Sequence, residues 1–191
     1  DGTSSNGNTG DTVHTYTTAG TYQVKIYGAF PRIYFSRFRA SQALRSVDQW
    51  GSIHWRSMVA AFLGCTNLDV LATDAPDLSN VTSLFEMFTF CESLGTSSSL
   101  DFSGWDTSTI TNMRAMFLDT FKFNSASIVN WDVSNVSDFS LMFDVASAFD
   151  QDLGNWDIST ADAMINMFID AGISTANYDA TLIGWATLQA G

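Results

Sequence analysis

The chain has 191 residues and carries 8 Lys+Arg against 20 Asp+Glu, a formal net charge of −12. That balance excludes the basic face a nucleic-acid binder needs and disfavours adhesion to anionic lipid headgroups, leaving basic proteins, glycans and divalent cations as partner classes. Apolar residues make up 46%, enough for a core, and no apolar run approaches the ~18 residues of a membrane span, so membrane insertion is not expected.

The opening "DGTSSNGNTGD" has no periodicity and reads as an exposed loop. "HTYTTAGTYQVKIYG" alternates Tyr22, Val24 and Ile26 and predicts a strand. "FPRIYFS" predicts a second, short strand, with Pro31 confining it to an edge or a strand start. Arg32, Arg37, Arg39 and Arg45 cluster next, so the remainder is more acidic than the total. Residues 1–45 are read as an N-terminal loop and β cap, and residues 46–191 as a repeat array.

The array is legible from one phrase. "WDTSTITNMRAMF" at 105–117 returns as "WDVSNVSDFSLMF" at 131–143 and "WDISTADAMINMF" at 156–168. Aligned on the opening residue, five units start at Trp50, Pro76, Trp105, Trp131 and Trp156, and Trp185 opens an incomplete one. A fixed period of this size means stacked repeats.

Within each unit, apolar residues recur at the spacing of one helical face, as in Met113, Met116, Phe117 and Thr120, or Met164, Met167, Phe168 and Ala171. Ser79, Ser108, Ser134 and Ser159 stand where an N-cap belongs, with Thr82, Thr111, Ser137 and Asp162 at N3. Each phrase therefore predicts a short helix, with Ser140 on its exposed side. A second anchor follows (Leu68, Leu94, Phe123, Phe149), then a short extended return with Phe102, Ile128, Leu153 and Leu182 pointing inward. The predicted fold class is an α/β repeat solenoid, leucine-rich-repeat-like, of about five units of 25–29 residues with an N-terminal β cap.

Over residues 46–188 the repeated "WDxSxVxxMxxMF" resembles the BspA-like leucine-rich-repeat surface proteins of bacteria. "DATLIGWATL" is similar to the closing unit of such arrays, and "DGT…HTYTTAGTYQVKI" resembles the end of a PKD-type β-sandwich. The resemblance implies a secreted or cell-surface protein used in adhesion or recognition, and it supplies no catalytic residues. It also implies that these residues belong to a longer multidomain chain.

His14 and His54 are the only near-neutral acid–base groups, and neither has a nucleophile at motif spacing. No enzymatic function is expected. Cys65 and Cys91 occupy equivalent slots filled later by Thr120, Ala146 and Ala171, which predicts small buried thiols without a bridge. Asp106, Asp132 and Asp157 form a register-matched series that a calcium ladder would share. Turn formation explains them more simply, and no cofactor is expected. Asn80 and Asn135 fall in glycosylation-type triplets that the repeat itself generates. The expected function is a non-catalytic adhesion or recognition module, with a structural spacer or assembly subunit as the alternative. Its expected ligand is an extracellular protein or polysaccharide, bound through Asp101, Ser103, Ser127, Val129, Asp152 and Gly154, which flank the inward positions of the returns.

Overall fold

The computed structural model describes residues 14–35 and 39–189. The Gly/Ser/Asn-rich opening and Arg37 lie outside them. Regular secondary structure is sparse: α1 (Arg39–Ala43), β1 (Ser46–Val47), β2 (Asp69–Val70), a 3-10 turn at Ala126–Asn130 and α2 (Thr175–Gln189). β1 and β2 pair in parallel, with Ser46 opposite Asp69 and Val47 opposite Val70. The predicted α/β solenoid of leucine-rich-repeat type does not form, because none of the five Met/Phe phrases is helical.

Each phrase is instead a pair of tight turns. In the first, the Ala61 N–H donates to the Met58 carbonyl at 3.1 Å and the Cys65 N–H to the Phe62 carbonyl at 2.9 Å. The third residues of these turns, Ala60 (φ 52°) and Gly64 (φ 76°), are left-handed, the mark of type II turns. The pattern repeats at Glu86 and Phe90, Ala115 and Asp119, Leu141 and Val145, and Asn166 and Asp170. Left-handed backbone costs roughly 1–2 kcal/mol at a residue with a Cβ, so something must offset it.

The compensation is between units. A helix would consume every amide within itself, whereas alternate amides here point at the neighbouring unit. Ala60, Phe62 and Gly64 donate to the carbonyls of Phe85, Met87 and Thr89 at 2.8–2.9 Å. The ladder continues from Glu86 and Phe88 to Arg114 and Met116, from Ala115 and Phe117 to Ser140 and Met142, and from Leu141 and Phe143 to Ile165 and Met167. Serine and asparagine side chains cap the turns, as where the Arg114 N–H donates to Asn112 Oδ1 at 2.9 Å.

The turns aim the same side chains inward that a helical face would. Met58, Phe62, Leu84, Phe88, Met113, Phe117, Phe139 and Phe143 are fully buried. Their rings form a continuous column, Phe62–Phe88–Phe117–Phe143–Phe168, with centroids 5.5–6.0 Å apart and planes within 10° of parallel. A second column, Phe123 on Phe149 at 6.1 Å, leans against it. Indole N–H groups tie the returns together: Trp131, Trp156 and Trp185 donate to the carbonyls of Phe102, Ile128 and Leu153 at 3.1, 3.1 and 2.8 Å.

Four further expectations are corrected here. Among the described residues the N-terminal β cap does not form: residues 14–35 hold no paired strand beyond an isolated bridge of Arg32 with Ser57. Tyr22, Val24 and Ile26 alternate in sequence but have no neighbouring strand to pair with among the described residues. What covers the first unit is Phe30–Phe35, whose Phe35 stacks on Phe62 at 6.1 Å and donates its N–H to the Ala61 carbonyl at 3.1 Å. At the other end Trp185 does not open a further unit; it sits in α2 and fills the tryptophan slot from a helix. Leu182, on the same helix, is 43% exposed rather than inward. Ser140 is 1% exposed, because the following unit covers it.

Ser174 precedes α2, and its Oγ accepts the Asn177 N–H at 3.3 Å, an N-cap contact. Its Gly184 lies directly on Gly154: a Cβ added at Gly184 would sit 2.4 Å from the Gly154 Cα. Only glycine allows the helix this close.

Candidate functional site

In the second to fifth phrases the opening residue, Pro76 or a tryptophan, is buried, and the aspartate that follows it lies toward solvent. The serine two positions later then folds back on it. Asp106 Oδ1 accepts the Ser108 N–H at 3.1 Å and its Oγ–H at 2.6 Å. Asp132 and Ser134 repeat these contacts at 3.1 and 2.6 Å, Asp77 and Ser79 at 3.0 and 2.6 Å, and Asp157 accepts the Ser159 N–H at 3.0 Å. These are Asx turns, so the serines read as helix N-caps are instead donors to the aspartates.

The turns are locked to one another. Asn135 Nδ2 donates to the Ser108 carbonyl at 2.8 Å, and Thr160 Oγ1 to the Ser134 carbonyl at 2.8 Å. The result is a column of carboxylates on one exposed edge, one in each of units two to five, the first unit having Gly51 in that place. The serine hydrogen bonds hold Asp106 and Asp157 below the usual carboxylate range. Asp77 is held down to about 2, first by its Ser79 contacts and then by His54.

His54 Nδ1 contacts Asp77 Oδ2, and the His54 side chain is 79% exposed. In a hydrolytic triad the histidine lies between nucleophile and carboxylate. Here the carboxylate lies between, because the Ser79 hydroxyl already donates to Asp77.

A second acidic series runs along a different edge. Asp119 and Asp144 are raised above the usual range by desolvation, and then by Asp144 and Asp170 respectively, the next carboxylate along; Glu92 adds to Asp119. Among the described residues, no three His, Cys, Asp or Glu side chains form a group able to hold a metal ion.

The residues expected to bind a ligand occupy the returns. Asp101 and Ser103 are exposed, and Asp101 Oδ1 accepts the Ser103 N–H at 2.8 Å, which lowers its pKa. Ser127 joins them through the Phe102 N–H, which it accepts at 2.8 Å, and through the Ser125 hydroxyl at 2.7 Å. Val129 is half-buried against the core. Asp152 is exposed and accepts the Gly154 N–H at 2.8 Å, while Gly154 is buried under Gly184. The structure thus brings Asp101, Ser103 and Ser127 together, and places Asp152 beside α2, whose Thr181 hydroxyl lies 3.5 Å from it.

Sequence reasoning missed Asp69 and Asp74. Asp69 is 8% exposed and accepts the N–H groups of Gly95 and Ser97 at 3.0 and 2.6 Å. Asp74 accepts those of Trp50 and Gly51 at 3.0 and 2.8 Å. Asp74 does not recur in register, whereas Asp69 follows the anchor Leu68 as Asn124 and Asp150 follow Phe123 and Phe149, and Asp150 likewise accepts the Ser174 N–H at 2.8 Å. Cys65 and Cys91 are both free and buried. Burial pushes the Cys65 thiol up to about 12 and Cys91 well above the ordinary value.

A family model described as "Mycoplasma protein of unknown function, DUF285" matches residues 35–99 and 56–185. The chain belongs to the DUF285 family. The family boundary agrees with the packing, because the match begins at Phe35, where the aromatic column begins. It leaves out residues 14–34, so the resemblance of that segment to a PKD-type domain has no support. No curated protein and no solved structure matches the chain significantly.

Proposed function

We propose that this DUF285 chain is a non-catalytic recognition or adhesion module of a larger, BspA-like bacterial surface protein, acting outside the cell. The observation that carries the proposal is the locked column Asp77, Asp106, Asp132 and Asp157, which repeats one carboxylate in each of four successive units on a rigid edge. Repeated, pre-organised charge suits an extended ligand, since little conformational entropy is lost on binding. The ligand class is a basic protein surface, or a polysaccharide bridged by a cation, with Asp101, Ser103, Ser127, Val129 and Asp152 contributing from the returns. Nucleic acid and lipid headgroups repel this charge. Among the described residues no helix is long and apolar enough to cross a membrane.

The test is binding to matrix-protein and glycan arrays at low and high salt, with Asp106→Asn, Asp132→Asn and Asp157→Asn combined. Asparagine keeps the Asx turn and removes the charge, so lost binding with unchanged melting supports the reading. Silence on every array moves the assignment to a structural spacer or assembly subunit, a reading favoured by the unbroken ring column.

A further inference from the structure

The ladder between units has a polarity that leaves its two ends unlike. In every interior unit the donors are the amides eight, ten, twelve and fourteen residues after the opening position. Met113, Ala115, Phe117 and Asp119 give their N–H groups to Asp138, Ser140, Met142 and Asp144 at 2.9–3.0 Å. The equivalents in the last unit are Met164, Asn166, Phe168 and Asp170, and among the described residues none of these amides finds an acceptor.

The side chains agree. Ser140 and Thr89 are each 1% exposed, but their equivalents Ile165 and Ile169 are 67% and 46% exposed. A cavity of about 430 Å³ lies between this edge and α2, lined by Met164, Phe168, Ile169, Tyr178 and Trp185 among others. A row of free donors beside uncovered apolar side chains is the template on which a further backbone adds.

The opposite end is the complement. Phe30–Phe35 forms the edge of the stack there, and the carbonyls of Phe30, Arg32 and Tyr34 accept no hydrogen bond among the described residues. Phe35 continues the ring column outward from Phe62. Charge divides the same way. Lys25, Arg32, Arg45 and Arg56 are exposed near this end, while residues 123–191 contain no Lys or Arg and nine aspartates, among them Asp138, Asp162 and Asp170.

We propose that the Met164–Asp170 edge docks the Phe30–Phe35 edge of a second copy of this chain, head to tail. The bridge series Asn112–Asp138–Ala163 sets the register, because Arg32 pairs with Ser57 at the same position. Arg32 of the incoming copy then stacks over Ala163, beside Asp162 and two units above Asp138. The contact is heterologous and does not close on itself, so it propagates into linear oligomers. It does not depend on what the carboxylate column binds.

Sedimentation velocity of the full chain over a wide concentration range, at low and high salt, tests this. Average mass rises with concentration through successive oligomers at low salt and falls as salt screens the ends. Ile165→Lys with Ile169→Lys weakens association at least about tenfold with melting unchanged, as both side chains are largely outside the core. Arg32→Glu alone and Asp162→Lys alone each weaken it, and mixing the two variants restores pairing, which a general loss of fold cannot mimic. A monomer at every concentration and salt overturns the proposal. So does a closed dimer, or association indifferent to Ile165, Ile169 and Arg32.

Discussion

Glu86→Gly separates a turn from a helix by the sign of its effect. Glu86 is half-buried and left-handed, φ 55°, at the third position of a type II turn. Its N–H donates to the Arg114 carbonyl at 3.1 Å, a bond that glycine retains. Relief of left-handed strain is worth roughly 1–2 kcal/mol, and the added freedom of the unfolded glycine takes back about 0.4–1 kcal/mol. The expected net is a stabilisation of about 0.5–1 kcal/mol. In a helix interior the same change destabilises by a similar amount. For a chain of this size 1 kcal/mol moves the melting temperature by about 2–4 °C, so calorimetry resolves the sign. Glu86→Val, β-branched at positive φ, lowers the midpoint. A Glu86→Gly variant that melts below wild type, with Glu86→Val unchanged, refutes the turn geometry.

Other expectations follow from burial and charge. Phe143→Ala empties a fully buried site between Phe117, Phe149 and Phe168 and destabilises by about 3–5 kcal/mol in urea titration, while Ser140→Ala removes a buried hydroxyl with no partner and is neutral or mildly stabilising. Asp144→Asn stabilises by about 0.5 kcal/mol at neutral pH: its folded pKa is raised, so its charge opposes folding above that pKa, and the gain vanishes in acid where the wild-type carboxyl is protonated. Asp77 has the opposite sign. Its contribution is present above the unfolded carboxylate pKa and is lost as pH falls through about 2, which carboxyl NMR titration reads directly. Cys65 and Cys91 stay unreactive toward thiol reagents until the protein unfolds, with the same intact mass before and after reduction.

The sequence by itself determined which residues go inside. The spacing of Met113, Met116 and Phe117, repeated around 25–29 residues later, names buried positions however the backbone is folded. It also placed the aspartates after tryptophan at turns, because a short acceptor beside a buried ring favours an Asx turn. It did not determine the backbone. Two type II turns, each reversing over four residues, project side chains at nearly the spacing of one helical face, so periodicity could not tell them apart.

What decided was where the amides go, and that depends on a neighbour 25 or more residues away. A lone phrase would satisfy its amides most cheaply as a helix, but beside another copy it gains a ladder, from Phe88 to Met116 and from Phe117 to Met142, that repays residues such as Val145 for standing at φ 57°. The ends illustrate the same point. Phe35 lacks the Trp and Ser of the phrase and was legible only as a Phe 27 residues before Phe62. Trp185 carries the right residue at the right interval, yet it reaches the Leu153 carbonyl from a helix whose close approach rests on two facing glycines. Sequence period fixes what each unit must bury; only the contact between units fixes the backbone that buries it.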